Sequence, residues 1–256
     1  MVAQRLYMTH KNTKKRKQSL PVYTIRYGKK TIRFIVDKVL IFRLLRQLRG
    51  RFWGVAGLLI MATGFSVCFA IRPDMLKWST AFSDFGRDVK TAPYLAASLF
   101  FGAYGLWRWR NYLRRTLKRA RPIISLVDLT VIGLYIAALM PVAWEPWPYR
   151  LHLIGFGLAG ASMAATVVLD TLLTKVRPNK HIVWWRLLRS TSFLLIVIGG
   201  YITFGSATII NWFQLSLLGE LLMFIGYSFW IVDKTYRGEG SRTEFSKLLH
   251  KVVLVD

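Results

Sequence analysis

Apolar residues run in six long blocks between residues 52 and 232, separated by short polar segments. The blocks cover 52–71, 92–107, 123–142, 151–173, 191–210 and 211–232. A helix needs about 20 apolar residues to cross ~30 Å of hydrocarbon, and the blocks are close to that length. The pattern predicts an all-α integral membrane protein, a six-transmembrane-helix bundle. A soluble all-α core would show shorter runs and a polar face on each helix.

Residues 31–49, TIRFIVDKVLIFRLLRQLR, follow a different pattern. Ile32, Ile35, Val36, Val39, Leu40 and Leu44 recur at helical spacing, with Arg33, Lys38, Arg43, Arg46 and Arg49 between them. A basic stripe beside an apolar one predicts an N-terminal amphipathic interfacial helix on the cytoplasmic side. A calmodulin target would show the same pattern. Residues 1–30 are polar and hold the run Lys14, Lys15, Arg16, Lys17, with no apolar core close enough behind them for a secretory signal. The expected divisions are a basic cytoplasmic tail with the interfacial helix (1–51), a six-span domain (52–233) and a cytoplasmic tail (234–256). A short helix is expected at 244–255 in the last of these.

Composition sharpens this picture in one respect. Hydrophobic residues make up 54% of the chain, above the ~45–50% of soluble domains. The net charge of +25 at first suggests nucleic acid. Its distribution points elsewhere. Across six spans, 32 of the 37 Lys and Arg fall on one side; only Arg72, Lys77, Arg87, Lys90 and Arg150 fall on the other. That bias predicts both termini in the cytoplasm of a cell-membrane protein. The expected partners are membrane lipids, with anionic lipid headgroups at the basic face, and not nucleic acid. Trp78, Trp144 and Trp147 mark the outer interface, and Trp107, Trp109, Trp184 and Trp185 the inner one. Cys68 is the single cysteine, so no intramolecular disulfide and no cysteine-based metal site can form.

Ionisable residues inside spans carry the candidate chemistry, because a charge at membrane depth is expensive. Asp128 and Asp170 lie toward cytoplasmic ends. They read as structural intramembrane charges, within reach of connector bases such as Arg119, Arg121 or Lys175. His152 opens the fourth span, and Glu220 lies about 12 Å below the outer start of the sixth. If those helices touch, His152, Glu220 and the outer loop residues Ser83, Asp84, Gly86 and Arg87 form a candidate ligand site. An interhelical hydrogen bond that only holds the bundle is the competing reading. The segment GFGLAGASMAA, residues 155–165, puts Gly157, Ala161 and Ala165 on one face at four-residue spacing, with Gly160 and Ala164 beside them. Small residues let helices approach closely. Ser162 has no histidine on a second span to act as its base, which excludes an intramembrane serine protease. One span histidine is also too few for an ordinary zinc site. No metal and no cofactor is expected.

Four short motifs coincide: Ser83-Asp84-Phe85-Gly86 after the first span, His152-Leu153 opening the fourth, Gly219-Glu220 in the sixth, and Trp230 near its end. With six spans and both ends inside, residues 52–232 resemble the domain-of-unknown-function-998 membrane family and, more distantly, the DRAM-like six-span proteins. The resemblance implies fold and topology, and its eukaryotic side implies membrane lipid handling. The leading functional expectation is a non-enzymatic multi-pass protein with a lipid or small-amphiphile site in the outer half of the bundle. A proton- or substrate-coupled transporter using Glu220 and His152 is the alternative, and a membrane hydrolase the weaker one.

Overall fold

The computed structural model describes residues 50–117, 121–140, 146–175, 182–207, 212–237 and 241–242. The expected interfacial helix at 31–49 and the short helix at 244–255 lie outside the described residues. Among the described residues six α-helices follow in order: α1 Trp53–Ile71, α2 Ala92–Thr116, α3 Arg121–Leu139, α4 Pro146–Leu173, α5 Ile182–Gly205 and α6 Ser216–Arg237. Two 3-10 turns, Pro73–Met75 and Phe82–Gly86, fold the loop between α1 and α2. A two-residue antiparallel bridge joins β1 (Thr174–Lys175) to β2 (Ser241–Arg242).

Five of the six helices are long and apolar enough to cross a membrane. The exception is α2, whose C-terminal turns carry Arg108, Arg110, Arg114 and Arg115. The helices pack most extensively as three antiparallel hairpins, α1 with α2, α3 with α4, and α5 with α6. Further contacts of α2 with α3, and of α6 with α1 and α4, close the bundle.

Helix ends differ from the apolar blocks where polar residues are satisfied by structure. Arginine is a good helix former, so α2 runs nine residues past the expected end at 107 and buries Trp109 and Leu113 on one face. By the same logic α5 starts at Ile182 rather than 191, and its Arg189 is buried. The sixth helix starts at Ser216, five residues later than its block. Trp212 and Phe213 both donate backbone N–H to the Gly205 carbonyl, at 2.6 and 3.1 Å, which spends these residues on a turn. The Trp78 carbonyl of the α1–α2 loop then accepts the Leu217 N–H at 3.0 Å and caps the new helix start. At its other end α6 continues to Arg237, beyond the boundary expected at 233.

Close contacts between helix backbones occur where glycine faces glycine. A Cβ added to Gly133 of α3 would lie 2.6 Å from the Gly155 carbonyl oxygen of α4. One added to Gly199 of α5 would lie 2.7 Å from that of Gly219 in α6. This corrects the expected packing face of the fourth span. Gly157 has nothing within 4 Å of an added Cβ, and Gly157 and Ala161 are exposed. The contact runs instead through Gly155 and Ala159. Four-residue spacing recurs on both faces of this small-residue stretch. Only the position of Gly133 on the neighbouring helix selects one of them.

Candidate functional site

The α1–α2 loop is anchored by aromatic residues before any polar group acts. Phe82 stacks on Phe65 of α1 at 4.2 Å between centroids, and Phe85 meets Phe69 edge-on at 5.0 Å. Both loop phenylalanines are buried. Phe224 of α6 meets Phe65 edge-on from the far side at 5.6 Å. Burying such rings contributes roughly 1.5–3 kcal/mol each. The Phe82–Gly86 turn is thereby pinned against α1.

Two carboxylates then take up the first backbone N–H groups of this turn. Asp84 Oδ2 accepts from Ala81 N–H at 2.8 Å. Glu220 Oε2 accepts from Phe82 N–H at 2.6 Å. Unpaired N–H groups at a helix start favour negative charge, so Glu220 acts as a cap reaching over from another helix. Its depth also needs correction. Glu220 is the fifth residue of α6, so it lies about 6 Å from the helix start rather than 12 Å. The cause is the Gly205–Phe213 turn, which shortens the helix. At the other end of the turn, Thr91 donates its hydroxyl to the Phe85 carbonyl at 2.6 Å.

His152 lies on the opposite side of the same turn. Its ring is buried, with Nδ1 2.7 Å from the Ala137 carbonyl of α3. Its Nε2 is buried and has no hydrogen-bond partner among the described residues. That nitrogen faces Gly86, where an added Cβ would approach it to 3.2 Å. Ser83 is buried within the turn. Arg87 pairs loosely with Asp84 at 3.7 Å and lies over the Tyr149 ring at 3.9 Å. The six predicted site residues are thus gathered around one turn. His152 and Glu220 do not bond each other; Gly86 meets the first and Phe82 the second. Farther out, Asp88 pairs with Arg72, which also holds Asp74 at 2.7 Å. The hydrogen bond from Arg72 holds the Asp74 carboxyl down at about 2.

Glu220→Ala should loosen this turn, because Phe82 N–H would lose its acceptor. The expected loss is about 1–3 kcal/mol. Glu220→Gln keeps a carbonyl oxygen for the same bond and should retain most of the stability. Thermal unfolding in detergent, with limited proteolysis of the loop, measures both. An Ala variant as stable as the wild type would refute the capping role.

The two charges read as structural find partners that the sequence order hides. Among the described residues, Asp128 accepts from Arg110 of α2 at 2.5 Å; Arg119 lies outside them. Asp170 lies fully buried at the other end of α4. Lys234 Nζ is 2.6 Å from its Oδ2, with Trp230 Nε1 at 3.0 Å and Arg189 at 3.2 Å. Thr174 donates to Oδ1 at 3.0 Å, and Arg189 also bonds the Asp170 carbonyl. A second acid, Asp233, pairs with Arg237 and lies 3.7 Å from Lys234. One signal in the sequence pointed to this network: a buried Asp170 requires a base. Lys234 follows the apolar block that ends at 232, so the hydropathy pattern assigns it to the tail. Among the described residues, no three His, Cys, Asp or Glu side chains converge as a metal-ligating group.

No protein-family model, no curated protein and no solved structure matches the chain.

Proposed function

We propose that the chain is a non-enzymatic, six-span protein of the cell membrane with both termini cytoplasmic. In this reading it holds a lipid or small amphiphile in the outer half of the bundle, beside the Phe82–Gly86 turn. Five helices with spanning length and apolarity support membrane embedding. Counting α2 as the sixth span rests on its 25 residues, about 37 Å of helix. Its arginines then lie at the cytoplasmic end, in keeping with the charge bias of the connectors. The family resemblance rests on its four short motifs and agrees with this topology.

The observation that carries the ligand reading is the buried His152 Nε2, which has no hydrogen-bond partner among the described residues. A buried polar atom without a hydrogen bond costs about 1–3 kcal/mol. A headgroup hydroxyl or amide reaching this nitrogen would remove that cost. The transporter alternative has less support, because Glu220 Oε2 is committed to the Phe82 backbone.

One preparation tests both parts. In vesicles, a cysteine at Trp78 should react with an impermeant maleimide from outside, while the native thiol stays silent because Cys68 is buried. Extracted protein should carry bound lipid by native mass spectrometry, and His152→Phe should lose it with the fold retained. Labelling of position 78 only after permeabilisation would reverse the orientation. A wild type that carries no lipid or amphiphile would exclude the ligand site.

A further inference from the structure

We propose that the cleft between the C-terminal turns of α2 and the first turns of α3 is a binding site for the phosphate headgroup of a cytoplasmic-leaflet lipid. The cleft has a volume of about 530 Å³ and is lined by Arg114, Leu117, Arg121, Ile124, Ser125 and Asp128. Its chemistry differs from that of the outer turn. The one acid, Asp128, is already neutralised by Arg110 at 2.5 Å. Arg114 and Arg121 are exposed and have no acidic partner among the described residues. Two guanidinium groups therefore remain for an incoming anion, one on each wall.

Guanidinium forks match phosphate oxygens with paired N–H donors. Ser125 adds a hydroxyl. Arg121, Ile124 and Ser125 belong to the first turns of α3, where the helix dipole favours negative charge. Leu117 and Ile124 are buried apolar residues at the floor. A free phosphate would gain nothing from them. A lipid would place its glycerol backbone there, with its chains running alongside the bundle.

This inference rests on the proposed orientation, which puts the α2–α3 connector at the cytoplasmic surface. It does not rest on the His152 site. The test uses the full chain in nanodiscs of phosphatidylcholine, with and without phosphatidic acid or phosphatidylglycerol. After detergent extraction, native mass spectrometry counts the retained lipids. The wild type should retain an anionic phospholipid in preference to phosphatidylcholine. Arg114→Gln with Arg121→Gln should lower that retention about tenfold, equivalent to ~1.4 kcal/mol. The circular dichroism should be unchanged, since both side chains are exposed. Arg186→Gln, an exposed arginine on α5 away from the cleft, should leave retention unchanged.

Equal loss in Arg186→Gln would mean diffuse charge attraction and overturn the site. Displacement of the lipid by inorganic phosphate would make the ligand a free anion and overturn the lipid assignment. Equal retention of phosphatidylcholine would overturn headgroup recognition. Failure of the chain to enter the bilayer would instead sink the membrane reading from which this inference starts.

Discussion

Asp170→Ala should destabilise the bundle by about 3–5 kcal/mol, the cost of removing one partner from a buried charge network. Asp170 accepts four side-chain donors, from Lys234, Arg189, Trp230 and Thr174. Thr174 directly follows α4, Arg189 lies on α5, and Trp230 and Lys234 lie on α6, so the carboxylate on α4 ties three helices together. Without it, Lys234 keeps only Asp233 at 3.7 Å among the described residues, while remaining 1% exposed. An ammonium with so little solvent has no cheap alternative. Two companion variants separate lost charge balance from lost packing. Asp170→Asn keeps one acceptor oxygen, enough for Trp230 or Thr174 but not for both, and should fall between Ala and wild type. Asp170→Leu combined with Lys234→Met removes opposite charges together and should recover most of the loss, because an apolar pair of similar volume often matches a buried ion pair. Thermal unfolding in detergent micelles, followed by tryptophan fluorescence, ranks the series. If the double variant is less stable than Asp170→Ala, charge balance is not the source of the effect.

Gly133→Ala and Gly157→Ala should move stability in opposite directions. The first places a methyl group 2.6 Å from both the Ala159 nitrogen and the Gly155 oxygen of α4. Backbone atoms cannot rotate away as a flexible side chain can, so α3 and α4 must separate. Overpacking of this kind costs about 1–3 kcal/mol, and in lipid there is no compensating hydrophobic drive between helices. Gly157 meets nothing within 4 Å. There alanine should stabilise the helix by up to about 1 kcal/mol, through its better helix propensity. Both melts should be taken in the same detergent. A Gly133 variant at or above wild-type stability would remove the close contact as a determinant of the α3–α4 hairpin.

The two variants also show why some of the fold was legible in advance. That residues 155–165 let helices approach closely follows from side-chain size alone. Which face does so depends on a glycine 22 positions earlier in the chain. Glu220 gives a similar lesson. An acid beside a glycine in an apolar block marks a polar function for the outer half. That this function is to cap the Phe82 N–H depends on the turn around Gly205, which shortens α6 and brings Glu220 near the loop. Phe82 carries no polar side chain, so nothing in the sequence marks its backbone as the partner. His152 was legible as a candidate, but its acceptor is the backbone carbonyl of Ala137, which no residue type advertises.

The sequence by itself determined the class of environment, the helix count expected from its six apolar blocks, and the asymmetry of charge across them. These are sums over local properties, and each residue contributes its hydropathy or charge wherever it finally sits. Only the tertiary structure decided where helices end, which small-residue face packs, and which charge meets which. Arg189 and Lys234 look like connector and tail residues because charge normally ends a span. They lie inside helices because Asp170, 19 and 64 residues away, offsets the cost of burying them. A pairing energy of that kind belongs to neither residue alone, so no reading of either position could contain it.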